Sequence, residues 1–400
     1  MGGAEEGMMQ EIVVVGAART PIGSLNGCLA AIPATQLGSV AAAEAMRRGG
    51  VEPAQVDETI FGNVLSAGLG QAPARQVAIG AKVPVTSGAL TINKVCGSGM
   101  MAAMLAANRI QAGEAEVVLV GGMESMSRAP YLLDRARSGY RMGHGQLIDS
   151  MLLDGLWDVY NQFSMGICGE LCAEKYGFSR EAQDEYAARS YTRALEAQAA
   201  GRFAAEMIPV EIPGRRGETQ MVAEDEEPKR GDLTKMRRLK PAFKEGGTVT
   251  AGNAPSVNDG AAALIVASSR RAEALGLAPL ARIAGMAGAA TAPEWFTLAP
   301  IEALRKLLKK TGWSAESVDL YEVNEAFSVV AMAAIQDLGL DPERVNVNGG
   351  VVALGHPIGA TGARLLVTLL YGMAARGARR GVAALCLGGG EGLAVAVERM

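Results

Sequence analysis

Histidine is almost missing from this 400-residue chain: there are two, His144 and His356. A metal site built from several imidazoles is therefore excluded. Cysteine is scarce as well. The five cysteines, at positions 28, 96, 168, 172 and 386, are odd in number and irregular in spacing. That excludes a disulfide framework and predicts reduced thiols in a cytoplasmic setting. Aromatics make up 4% of residues, so a core must come from aliphatic side chains. No basic excess exists: 38 Lys and Arg stand against 42 Asp and Glu, a net charge of −4. A chain that coats nucleic acid would need the opposite balance, so no nucleic-acid partner is expected. The first ten residues, MGGAEEGMMQ, are acidic and lack an apolar stretch, which argues against an export signal. Unbroken apolar runs are of strand length, so no membrane partner is expected.

What is present is a globular composition, 49% apolar with 51 glycines, long enough for about two or three domains. Short β-branched or aliphatic runs alternate with helical patterns. Strands are predicted at Ile12–Val15, Thr59–Val64, Ala89–Asn93, Val117–Val120, Ala261–Ala267, Val318–Val323 and Val382–Leu387. Helices are predicted at Thr35–Arg48 (with Thr35 as cap), Met100–Ile110, Arg180–Ala200, Glu325–Leu338 and Gly359–Ala375. Such alternation means an α/β fold with crossover units. From about Met123 to Gly247 the pattern turns irregular and charged, as an inserted segment would. A faint repeat links the two ends. Ile92-Asn93-Lys94-Val95 and Val345-Asn346-Val347-Asn348 each lead into a glycine-rich turn, an apolar helix, a strand and a Gly-Gly pair. Two similar α/β halves are predicted, with active groups at the carboxyl ends of strands.

Cys96 sits in Asn93-Lys94-Val95-Cys96-Gly97-Ser98-Gly99, between strand and helix. Small residues let a substrate approach, and a helix N-terminus is expected to lower the thiol's pKa. His356, in Gly355-His356-Pro357-Ile358-Gly359, is framed by glycines ahead of a helix, and a histidine is the usual base for a cysteine nucleophile. His144 lies in an irregular loop. Cys386 ends an apolar strand just before Gly388-Gly389-Gly390; it reads either as core or as a second acid/base group. Asn324 follows a strand and reads either as a helix cap or as a polar group near an oxyanion. Cys168 and Cys172 are four apart, so on a helix they could share a face, but no further ligand is near and core or helix surface is favoured over metal. Val13-Val14-Val15-Gly16 lacks the spacing of a dinucleotide fingerprint.

Taken in order, NKVCGSG, GGMESMS, GNAPSVNDGAA, NEAF, GGVVALGHPIGATG and CLGGGEG resemble the thiolase family over nearly the whole chain, and within it the acetyl-CoA acetyltransferase branch. The resemblance implies a five-layered α-β-α-β-α fold. Residues 1–121 would form the first half, completed by about 251–270; residues 122–250 a loop domain; and residues 271–400 the second half. It implies that Cys96 is acylated, that His356 takes its proton, and that Cys386 handles the α-proton of the second acetyl-CoA. Asn324 would hold a water that joins His356 in one oxyanion hole, and the N–H groups of Cys96 and Gly388 would form the other. CoA contacts are implied at Ser164, Met165, Ser256 and Phe327, with Phe296 narrowing the acyl pocket. Lys229 and Arg230 would meet the CoA phosphates or else form a solvated charged face. The implied reaction is reversible condensation of two acetyl-CoA to acetoacetyl-CoA, part of fatty acid metabolism, without metal or redox cofactor, in a homotetramer. The alternative is a degradative 3-ketoacyl-CoA thiolase for longer chains. Two positions depart from the family: Ser164 stands where histidine is common, and Pro255 where serine is common.

Overall fold

A computed structural model describes residues 10–214 and 217–400. The first half contributes β1 (Ile12–Arg19), β2 (Gly23–Ser24), β3 (Glu58–Gly62), β4 (Gly88–Ile92), β5 (Val117–Ser125) and, from beyond the insertion, β12 (Asn258–Ser268). The second contributes β13 (Ala281–Ala290), β14 (Leu320–Val323), β15 (Arg380–Leu387) and β16 (Glu391–Glu398). The spatial order runs β4-β3-β5-β12-β1 and continues β13-β16-β15-β14, with β2 paired to β12. A parallel bridge from Tyr321 to Val345 stands where a further strand would lie beyond β14. With Val345 counted as that strand, each half has its strands in the order third, second, fourth, fifth, first. The repeat read from sequence is therefore a repeat of topology. The halves meet at β1 and β13, where Val13 pairs with Arg282 and Val14 with Ala281, so one sheet continues through both.

The layers follow from strands buried on both faces, where side chains alternate. Along β1, Val13, Val15 and Ala18 enter an outer cluster with α1 (Ala34–Gly49) and α2 (Pro73–Gly80), while Ile12, Val14 and Ala17 enter a central one. The central cluster holds α3 (Ser98–Gln111) and α10 (Ile358–Arg376) between the two halves of the sheet. A second outer cluster carries α7 (Ala299–Thr311) and α8 (Ser328–Leu338). Helix, sheet, helix, sheet, helix: these are the five layers. The central pair crosses almost backbone to backbone. A Cβ on Gly99 would lie 2.6 Å from the Ala363 nitrogen, and one on Gly362 would lie 2.6 Å from the Met100 nitrogen. Part of the glycine excess serves this crossing.

The insertion holds α4 (Met165–Tyr176), α5 (Arg180–Ala199) and three strand pairs, β6 (Tyr131–Leu132) with β7 (Ile148–Asp149), β8 (Trp157–Asp158) with β9 (Phe163–Ser164), and β10 (Val210–Pro213) with β11 (Thr219–Val222). Short α6 (Ser269–Ala274) and α9 (Val351–Leu354) complete the set. A fully buried Arg19 fastens the insertion to β1. Its guanidinium grips Asp225 through two oxygens, at 2.7 and 2.9 Å, and also bonds Glu206.

Four expectations need correction. Helix α1 begins at Ala34 behind Pro33, with no side-chain cap, so Thr35 is not its cap. Helix α8 begins at Ser328, and its cap position is Phe327, so Glu325–Phe327 is not helical. Helix α4 was not expected, because its MGICGELCAEKY sequence has two glycines and no clean apolar face. Helix α10 is long and apolar enough to cross a membrane, with a mean hydropathy of 1.4, yet 83% of that window is buried inside the protein. It is apolar because it is the centre of the molecule.

Candidate active site

Cys96 occupies the turn between β4 and α3, and the turn is strained. Val95, a β-branched residue, is held at φ +47°, a conformation that costs on the order of 1–3 kcal/mol. The surrounding bonds enforce it. Ser98 Oγ accepts from Lys94 N–H at 2.8 Å and donates to the Val95 carbonyl at 2.6 Å. Gly97 has no room for a side chain, since a Cβ there would lie 2.1 Å from Leu387. The result aims the Cys96 thiol into a cavity of about 190 Å³.

The thiol is not activated by its helix as expected. Burial pushes its pKa up to about 12, and the opposing N–H groups of Cys96 and Gly388 do not reverse this. Those two N–H groups do converge beside the sulfur, as an oxyanion hole at this carbon would require. A buried thiol needs a base.

His356 faces the same cavity from the turn before α10. Its Nδ1 lies 2.7 Å from Thr361 Oγ1, and that hydroxyl spends its proton on the Pro357 carbonyl at 3.0 Å. With its proton on the Pro357 carbonyl, Thr361 accepts from the ring, an arrangement that assigns the ring proton to Nδ1 and leaves Nε2 as the free lone pair. Nε2 makes no hydrogen bond within the described residues. Burial, then the nearby Arg364 charge, lowers the His356 pKa to about 3, which keeps the ring neutral. His144, by contrast, is exposed.

Cys386 ends β15 fully buried and packs in the outer cluster with Cys168 and Cys172 of α4. Burial first, then the neighbouring Cys96 thiol, raises its pKa well above the ordinary value. Asn324 lies just past β14, completely buried, and its amide oxygen and nitrogen bond to no other described residue. The helix-cap reading of Asn324 is thereby removed.

Of the other expected positions, Ser164, Met165, Ser256, Phe296, Phe327 and Gly388 line the cavity with Pro255. Ser164 also caps α4, its Oγ accepting from Gly166 N–H at 3.4 Å. Phe327 meets Phe296 and Phe243 edge-on, at ring centroid distances of 6.5 and 6.0 Å. Lys229 and Arg230 do not reach the cavity wall; they face solvent and pair with Glu224 and Glu226.

Three residues that hold the site together were not singled out from sequence. Asn258 Oδ1 accepts from His356 N–H at 2.8 Å and from Ser256 Oγ at 2.9 Å. Glu325 accepts from Tyr186, Ser190, Asn346 and the Val352 N–H, joining α5, the turn at Asn346 and α9. Glu124 accepts from the N–H groups of Val64, Leu65 and Gly359 and from the Asn63 amide. Both glutamates lie within quoted motifs, but nothing in the pattern distinguished a buried acceptor from a catalytic acid.

The comparisons agree along the whole chain. Residues 12–270 match the thiolase N-terminal domain and residues 277–399 the thiolase C-terminal domain. The chain is 52% identical to an acetyl-CoA acetyltransferase of Cupriavidus necator over 392 residues, covering 98% of this chain and all of that one. It is 53% identical to acetyl-CoA acetyltransferase 2 of Arabidopsis thaliana, covering 97% of each. The crystal structure of the Bacillus anthracis acetyl-CoA acetyltransferase superposes with a TM-score of 0.95 at 43% identity, over 98% of this chain and 99% of that one. A thiolase of Ascaris suum in complex with coenzyme A superposes with a TM-score of 0.92 at 43% identity, over 98% of this chain and all of that one. With the doubled topology and a cysteine and histidine facing one cavity, these matches show that the chain belongs to the thiolase family.

Proposed function

We propose that the protein is an acetyl-CoA C-acetyltransferase. The observation that carries the reading is that the Cys96 thiol shares a cavity with a histidine whose Nδ1 is engaged by Thr361 and whose Nε2 has no partner among the described residues. His356 Nε2 takes the Sγ proton as sulfur attacks the thioester carbonyl. CoA leaves with that proton, and Cys96 is left acetylated. A second acetyl-CoA then enters. Cys386, reacting from its thiolate form, removes the α-proton and becomes a thiol, the enolate attacks the acetyl carbon, and the C–S bond to Cys96 breaks. Acetoacetyl-CoA departs, and the proton held by Cys386 passes to the Cys96 thiolate, which restores both cysteines. The Cys96 and Gly388 N–H groups face the acyl oxygen, while Asn324 orients a water beside His356 for the enolate oxygen. Carbonyl activation rests on these donors, so no metal or redox cofactor takes part in this reading.

Short acyl chains fit a cavity of this size closed by Phe296 and Phe327. A thiolysis series of 3-ketoacyl-CoAs with increasing chain length tests this. Fastest turnover with acetoacetyl-CoA is expected, and an optimum at long chains would transfer the protein to the degradative class. Cys96→Ala is expected to lower turnover by on the order of 10⁴-fold or more; an active variant refutes the acyl-Cys96 step.

The same reading places the enzyme in the cytoplasm, in fatty acid metabolism, as a homotetramer. Exposed apolar side chains at Tyr131, Leu133, Met142 and Leu147 gather in one stretch of the insertion and support self-association. Light scattering of the purified protein reads the assembly directly.

A further inference from the structure

The two N–H groups that meet at the Cys96 sulfur come from different halves of the molecule. Cys96 stands in the turn between β4 and α3, and Gly388 in the hairpin turn between β15 and β16. Neither half can set the separation of these donors by itself. Donors stabilise an oxyanion only when each lies about 2.7–3.1 Å from it. One turn must therefore be fixed against the other.

Packing does part of this. A Cβ on Gly97 would lie 2.1 Å from Leu387, and one on Gly388 would lie 3.4 Å from Val95. Such contacts stop the turns from coming closer. A glycine has few atoms to attract its neighbour, so they resist parting only weakly. The hairpin turn also has little stiffness of its own. It reads Gly388-Gly389-Gly390, with Gly389 at φ +89° and Gly390 at φ +87°. Three glycines in a row leave the backbone its widest choice of conformation.

Two moorings hold this turn. The Thr291 N–H donates to the Gly390 carbonyl at 2.7 Å, which ties the turn to its own half. The second mooring is ionic and crosses between the halves: Lys94 Nζ donates to Glu391 Oε2. Lys94 lies two residues before Cys96, and Glu391 opens β16 opposite Leu387. The pair thus joins the segments that flank the two donors. Apart from the N–H groups at the sulfur, no other hydrogen bond or ion pair among the described residues links 93–97 to 387–391. Neither Lys94 nor Glu391 lines the cavity.

We propose that Lys94 and Glu391 are positioning residues: their ion pair latches the Cys96 turn to the Gly388 turn and so sets the separation of the two N–H groups that receive the acyl oxygen. This rests on Cys96 being the acylated residue. The two side chains are 28% and 41% exposed, so the pair adds little to global stability. Its effect falls on the rate, because a misplacement of about 1 Å at a reacting centre costs on the order of 10²-fold. The cavity wall is untouched, so substrate affinity is spared.

The test is the rate at which acetyl-CoA acetylates the full-length enzyme in a single turnover, followed by quenching and mass spectrometry. Lys94→Gln and Glu391→Gln are each expected to slow acetylation about tenfold, with KM for acetyl-CoA and Tm unchanged. The double variant is expected to be no slower than either single one, since both break the same contact. Lys94→Arg keeps the pair and is expected to stay within a few-fold of wild type. A purely structural role would lower Tm and leave the rate alone. Wild-type rates in both glutamine variants, losses that multiply in the double variant, or a raised KM at an unchanged rate each overturn the latch. Should Lys94→Gln fail to fold by circular dichroism, Glu391→Gln breaks the same pair from β16 and decides alone. The two layers separate in the wild type: no acetyl adduct on Cys96 sinks the reading of the nucleophile, whereas an adduct that forms equally fast in all variants sinks only the latch.

Discussion

Asn63 and Asn324 each stand just past the second strand of their half, β3 or β14, but out of register with one another. The Asn63 N–H bonds the Ile92 carbonyl of the third strand, and the Asn324 N–H bonds the Ala384 carbonyl of the fourth. Their side chains differ. The Asn63 amide nitrogen is tied to Glu124 and to the Met123 carbonyl. Both polar atoms of the Asn324 amide are unpartnered within the described residues. The scaffold is doubled, but the chemistry is not. The first half uses its asparagine to lock a turn and spends its elbow on the nucleophile. The second half leaves the amide of its asparagine unengaged. The connecting segments follow the same division. β4 reaches α3 through a tight turn, whereas the second half runs from Val345 through α9 before α10, and that longer path carries His356. Between β5 and β12 the first half also carries the insertion that walls the cavity, while β15 and β16 are joined by a short hairpin.

The comparison breaks most directly at the two asparagines. Asn324→Ala is expected to lower kcat by on the order of 10²–10³-fold with Tm unchanged, as the loss of an oxyanion donor does. Asn63→Ala is expected to leave kcat within a few-fold of wild type and to cost about 1–3 kcal/mol in urea unfolding. Equal kinetic losses would erase the distinction. Next in size is Glu124→Ala, which strands three N–H groups and the Asn63 amide and is expected to cost about 3 kcal/mol of stability; a stable variant would mean that the first half is not locked there.

A smaller effect concerns acid. His356 is neutral in the fold, with a pKa lowered from 6.5 to about 3, while the unfolded chain takes up a proton below 6.5. Its contribution to stability is therefore full above 6.5 and is lost as pH falls toward 3. Between pH 7 and pH 5 the wild type is expected to lose about 2 kcal/mol more than His356→Asn in parallel urea titrations. Identical losses would show that the ring titrates normally in the fold. The smallest effect is at the rim. If the basic segment meets CoA phosphates, Lys229→Ala raises KM a few-fold at low salt and less at high salt, with kcat unchanged; a KM indifferent to salt leaves Lys229 a solvated charge paired with Glu224.

The sequence made the elements with strong periodicity or β-branched runs readable. β1, β5, β12, β15 and the cores of α3, α5 and α10 lie where their patterns placed them. Cys96 and His356 stood out because glycine-rich turns framed them and so few alternatives existed. What remained hidden was the consequence of three-dimensional burial. A helix N-terminus argues for a thiolate, and only the packed cavity shows that desolvation wins at Cys96. Asn324 after a strand looks like a cap until the helix is seen to start at Ser328. Asn258 and Glu325 act through partners far away in the chain, and no local pattern encodes that.

The closure of the first half by β12 has a consequence for how the protein is made. β1 leaves the ribosome long before its partners, since Ile12 pairs with Ser268, and its other neighbour, β13, is synthesised later still. At ~5–20 residues per second, an apolar strand reading IVVVGAAR waits on the order of tens of seconds with both edges bare. Nascent chains of this protein are thus candidates for chaperone capture at β1, and the insertion, by lengthening the wait, sets how long that exposure lasts.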